Sequence, residues 1–200
     1  MIDQLSMSIA RFFVSKKLIP ENELDSYAYG YQVILISIIN WSSILIIAIL
    51  THSLIDTLFY MLPIVILRRH TGGYHARSYA QCYILSISFY LIVLLLTRFI
   101  PAAAVYAIAP VISVITYISI LKYAPIEHAN NPQSRKRMIT HRKYCVVLSS
   151  LFLILTIALL FAKYTTLSCC AALGMFQVCI LLLVEHIHNQ KGNCKSTFYN

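Results

Sequence analysis

Residues 31–50 read YQVILISIINWSSILIIAIL, twenty consecutive positions without a charged side chain. At 1.5 Å per residue a helix of that length reaches about 30 Å, the thickness of a bilayer's hydrocarbon core. Residues 78–97, 99–121, 145–162 and 164–184 are likewise uncharged and close to span length. Residues 57–67 are apolar over only 11 positions; as helix they reach about 17 Å and must recruit residues 53–56 to cross. Pro101 and Pro110 place the start of the fourth span near the first and a kink near the second. The spans are therefore predicted at 31–50, 53–67, 80–97, 101–121, 145–162 and 164–184, within one integral membrane domain.

Composition supports the same class. Hydrophobic residues make up 59% of the 200 positions and charged ones 12%, against about 25% charged in soluble domains. The net charge of +9 falls between the apolar segments and is not interleaved with exposed aromatics. That pattern sets membrane orientation and attracts anionic lipid; it does not point to nucleic acid. With the N-terminus inside and six crossings, 14 of the 16 Lys and Arg residues lie on the inner side, leaving only Arg98 and Lys163 outside. Both termini are thus predicted to be cytosolic. Residues 1–19 read as an amphipathic helix, with Ile2, Leu5, Ile9, Phe12 and Phe13 on one face and Asp3, Gln4, Arg11, Lys16 and Lys17 on the other. Such a helix lies in the interface or packs on the protein's own cytosolic face. Residues 1–30 lack an apolar h-region, so no cleavable signal is expected. The expected fold is all-α and polytopic, with about six transmembrane helices and this interfacial one.

Six cysteines do not make a disulfide framework here. Cys169, Cys170 and Cys179 lie in an apolar span, where cysteine acts as a small hydrophobe. Cys82, Cys145 and Cys194 fall on the side assigned to the reducing cytosol. No CxxC pair is present, which removes redox and zinc-ribbon readings.

The polar island at 68–83, RRHTGGYHARSYAQCY, holds a potential base and a potential nucleophile, His75 and Cys82. Arg68, Arg69 and Arg77 lie close enough in sequence to favour a thiolate. A histidine within hydrogen-bond reach takes the thiol proton and returns it to a leaving amine. Seven residues on one helix leave the two side chains about 10 Å apart along the axis, with His75 leaning away. His75 is therefore predicted on a bent or pre-helical segment, 68–79, that folds back toward Cys82, with Gly72 and Gly73 supplying the freedom to bend. Taken alone, one His and one Cys in a loop are more often incidental. Metal binding by His70, His75 and Cys82 lacks a fourth ligand and sits among arginines, so no metal or other cofactor is expected.

At these residues the chain resembles a known family. The run Arg68-Arg69-His70-Thr71-Gly72-Gly73-Tyr74-His75-Ala76, with Cys82 seven residues after the His, is similar to the signature of AgrB, the accessory gene regulator membrane endopeptidases. Gln32 in the first span and the sequence YAPIEHANNP at 123–132, which opens the long basic loop 122–144, agree with it. The resemblance implies cleavage of a small amphipathic quorum-sensing precursor on its C-terminal side, with Cys82 as nucleophile and His75 as base. It implies release of a thiolactone or lactone, a homodimer, and a Gram-positive cell membrane. Gln32, Arg68 and Gly73 match recurrent positions. Gln32 then orients a group or serves as interhelical glue; Arg68 binds a precursor carboxylate, tunes Cys82 or anchors the span. Arg135, Lys136 and Arg137, with Arg142 and Lys143, either attract an acidic precursor tail or anchor the loop on lipid. His128 and His141 read as solvated loop residues, and His186 and His188 as interfacial. Glu185 is a candidate third member with no local support. The rival readings are a transporter or exporter without catalysis, and a membrane scaffold.

Overall fold

A computed structural model describes residues 2–72, 79–126 and 135–196; side chains are described for all of these except Tyr79, Arg135, Lys136 and residues 190–196. The described residues form helices and no strand. These are α1 (Ile2–Ser15), α2 (Leu24–Leu50), α3 (Leu54–Thr71), α4 (Tyr79–Phe99), α5 (Ala102–Tyr123), α6 (Arg135–Phe161) and α7 (Thr165–Ser196), with a 3-10 turn at Glu21–Glu23 before α2. The protein is an all-α, multi-pass membrane protein: α2, α4, α5, α6 and α7 are long and apolar enough to cross a bilayer by length and composition.

The sixth long helix, α3, has 18 residues and carries Asp56, Arg68 and Arg69 near its ends. As helix it is about 27 Å long. Its Tyr60, Pro63 and Leu67 are buried against neighbouring helices, while Ile55, Leu58 and Leu62 on its other face are exposed. α3, α5 and α6 surround α7. Some 67% of α7's apolar stretch is buried, against 11% for α2 and 17% for α4. That contrast makes α7 the central post and leaves α2 and α4 at the periphery.

Small residues let the central helices approach. A Cβ on Gly174 of α7 would overlap the Tyr60 carbonyl oxygen and reach Pro63 Cγ at 3.3 Å. Close backbone approach of this kind is how membrane helices gain packing without a hydrophobic drive between them. Polar groups tie the same surfaces: Tyr60 donates to Gln177, Thr57 and Tyr90 share a hydrogen bond of 2.6 Å, and Ser168 donates to the Thr156 carbonyl at 2.9 Å.

Two turns at one end of the bundle share a design. At the α2–α3 turn Ser53 N donates to Ala48 O and His52 N to Ile49 O; at the α6–α7 turn Tyr164 N donates to Leu159 O and Lys163 N to Leu160 O. These are Schellman stops, with His52 (φ 54°) and Lys163 (φ 63°) in the left-handed position that glycine usually fills. Pro110 lies within α5, which continues through it. The stretch 122–144, expected as loop, is helical from Arg135 onward, so Arg137, Arg142 and Lys143 ride on an extension of α6.

α1 packs along α2. Phe13 stacks on Tyr31 with ring centroids 5.6 Å apart, and Gln32 Nε2 donates to Asp3 Oδ1 at 3.1 Å. The amphipathic helix thus spends part of its surface on the protein itself.

Candidate active site at the Cys82 end

α3 stops at Thr71 because Gly72 turns the chain at φ 71°, ψ −156°, after its N–H has closed on the Arg68 carbonyl at 3.3 Å. α4 is described from Tyr79 onward and carries Cys82, half-buried.

Arg68 lies within electrostatic range of Cys82. It is half-buried one turn before the end of α3. Burial pushes its guanidinium below the ordinary value, while the nearby Cys82 thiolate acts in the other direction. An arginine retains its proton under such a shift, so Cys82 has a fixed cation within electrostatic reach. Next to Cys82, Tyr83 donates to Ser43 Oγ of α2 at 3.0 Å, which fastens the start of α4 to α2.

Gly72 meets the chain that follows α5. Ile126 N donates to the Thr71 carbonyl at 3.0 Å, and a Cβ on Gly72 would stand 2.6 Å from Ile126 O. Thr71 is fully buried and its hydroxyl donates to Gly72 O at 3.0 Å. The outlet of α3 is therefore clamped to the first residues of the 123–132 motif.

The sequence-predicted residues divide as follows. Cys82 and Arg68 come together. Gln32 lies on α2 in contact with α1 through Asp3, which suits a packing role. Arg69 and Arg137 are exposed, as are Arg142 and Lys143. His75, Gly73 and Arg77 lie outside the described residues, as do the side chains of Arg135 and Lys136. Among the described residues no three His, Cys, Asp or Glu side chains gather to hold a metal.

One cluster escaped the sequence reading. His141, read as a solvated loop residue, is on α6, and its Nδ1 shares a 3.1 Å hydrogen bond with Nδ1 of His70. Tyr144 stacks on the His70 ring at 4.8 Å. Burial, then His141, then Arg69 push the His70 pKa below its ordinary 6.5. The three-residue spacing of His141 and Tyr144 was the available signal; it required knowing that α6 begins before the membrane.

The family described as Accessory gene regulator B matches residues 6–182. The chain belongs to that family. It is thereby a membrane component of the accessory gene regulator quorum-sensing system. Two proteins of Clostridium perfringens named as AgrB-like, one from strain 13 and one from strain SM101, are each 28% identical to it, covering 69% of this chain and 69% of theirs. No solved structure matches.

Proposed function

We propose that the protein is a membrane cysteine endopeptidase that cleaves a small amphipathic peptide precursor and closes the retained part into a thiolactone or lactone. The observation that carries this reading is the setting of Cys82, half-buried on α4 with Arg68 in electrostatic range. Family membership supports the substrate class.

In this reading the Cys82 thiolate attacks a precursor carbonyl. His75 takes the thiol proton and returns it to the amine of the departing C-terminal fragment. The acyl-thioester is then resolved by a thiol or hydroxyl within the precursor. Thioester exchange is near thermoneutral, so removal of products must offset ring strain. A half-buried site that excludes water favours exchange over hydrolysis. The exposed cations on α6 suit an acidic precursor tail or anionic lipid, with the site on the cytosolic face and a homodimer as the assembled form.

The test is intact mass spectrometry of a co-expressed precursor with wild type, Cys82→Ala and His75→Ala in membranes. Release of a C-terminal fragment by wild type alone supports the dyad, and loss of water from the retained piece shows cyclisation. Cleavage that survives Cys82→Ala overturns the reading and favours an exporter or scaffold.

A further inference from the structure

We infer that the cavity between the α2–α3 and α6–α7 turns binds the headgroup of a phospholipid that carries a primary ammonium, with its phosphate on Lys163 and its ammonium on Asp56. The site lies at the end of the bundle away from Cys82 and does not depend on the dyad proposed above.

The two left-handed stops stand side by side and enclose a cavity of about 730 Å³, within the size range of small-ligand sites, about 300–1,000 Å³. Its polar wall is His52, Ser53 and Asp56 from one turn and Lys163, Thr165 and Thr166 from the other. Arg98, at the far end of α4 from Cys82, donates to the Thr51 carbonyl at 3.3 Å. That bond ties α4 to the first of these turns from outside the cavity.

The charges on this wall do not pair with one another. Asp56 is half-buried in the first turn of α3, within electrostatic range of Cys170 on α7. Among the described residues no ion pair joins it to Lys163 or His52, although all three line the same cavity. A half-buried carboxylate and a cation on two turns of one cavity favour an occupant that carries both signs. α7 begins beside Lys163, so the partial positive charge of its first turn falls on the same side as the ammonium of Lys163 and suits a phosphate.

Depth identifies the occupant as a lipid. The apolar stretch of α2 ends at Leu50 and that of α6 at Phe161, and both residues are exposed, at 74% and 86%. Tyr164, exposed on the cavity rim, is the kind of residue that sits at the level of lipid headgroups. Ile49, Leu54 and Ile55 are exposed and line the cavity beside it, so acyl chains meet an apolar wall that runs into the polar one. A small soluble zwitterion would leave that wall unused. A primary ammonium suits Asp56 better than a quaternary one, because a carboxylate accepts hydrogen bonds from N–H groups and a quaternary nitrogen has none to give.

The test is competitive native mass spectrometry of the full chain in detergent, offered equal amounts of phosphatidylethanolamine, phosphatidylcholine and phosphatidylglycerol with matched acyl chains. The expected result is one retained phosphatidylethanolamine, held about tenfold more tightly than either rival, the size of one charge-assisted hydrogen bond. Asp56→Asn should erase that preference without weakening phosphatidylglycerol. Lys163→Gln should weaken phosphatidylethanolamine and phosphatidylglycerol together. Arg98→Gln, at the same end but outside the cavity, should change neither. Thermal unfolding in lipid-free detergent checks that each variant folds. Equal retention of the three lipids by wild type overturns the inference, as does a phosphatidylethanolamine preference that survives Asp56→Asn in folded protein. A loss in Arg98→Gln as large as that in Lys163→Gln would reduce the effect to net charge and overturns it too. Soluble phosphoethanolamine that displaces the lipid at equal concentration would make the cavity a site for a small free zwitterion and overturn the lipid reading.

Discussion

Replacing Gly72 by alanine should disable the protein without unfolding it. Two terms act at this residue. Its backbone, at φ 71° and ψ −156°, lies in a region that is essentially glycine-only and costs other residues about 1–3 kcal/mol. The new methyl would also stand 2.6 Å from the Ile126 carbonyl oxygen and 3.6 Å from its carbon. Relief requires Ile126 to retreat by several tenths of an ångström, which stretches the 3.0 Å bond from Ile126 N to Thr71 O, worth about 1 kcal/mol net. The total, about 2–4 kcal/mol, is borne by the corner and not by the bundle. Tyr60, Pro63 and Leu67 still bury α3 against its neighbours, so the economical response is for the corner to open. In the proposed reading, a displacement near 1 Å at the corner that precedes His75 is enough to cost about 10²-fold in rate. The assay pairs thermal unfolding in detergent with precursor cleavage in membranes: Gly72→Ala should lose cleavage by that order while its unfolding temperature falls by only a few degrees. Asparagine is the sharper variant. It tolerates left-handed φ near ψ of about +45° but not the extended ψ seen here, so Gly72→Asn should fail as alanine does. Wild-type cleavage in Gly72→Ala, or rescue by Gly72→Asn, would refute the clamp.

The remaining predictions concern packing, acid and turns. Gly174→Ala should drive α7 from α3 at the Tyr60 carbonyl and destabilise by about 1–3 kcal/mol, read as a lower unfolding temperature; an unchanged value would mean that the two helices are not in close contact. His70 has a folded pKa held below its ordinary value by burial, His141 and Arg69. Its contribution to stability is therefore complete above about pH 6.5 and lost as pH falls through the lower folded value. Acidification should loosen the α3–α6 contact, exposing it to protease, and His141→Gln should flatten that dependence. His52→Gly should stabilise by about 1 kcal/mol, since His52 holds a left-handed φ of 54° that glycine adopts freely; a lower unfolding temperature would contradict the Schellman assignment.

What the sequence could and could not convey follows from the range of each interaction. Membrane spans are legible because hydrophobicity is a one-dimensional property: residues 31–50 have no charge whatever they pack against. The stop at Gly72 was legible in kind, because paired glycines announce backbone freedom, but its direction depends on Ile126, more than fifty residues away. Charge count gave the basic stretch 135–143 correctly as basic and could not say that it is helix, since arginine and lysine serve both states well; the turn inside α6 is what pairs His141 with His70. Glu185 shows the limit most clearly: beside His186 and His188 it looks like one more polar residue where a span ends, yet it is buried. Gly174 lies against the Tyr60 carbonyl, and nothing near it in sequence names α3 as its partner, because close approach is a property of two helices together.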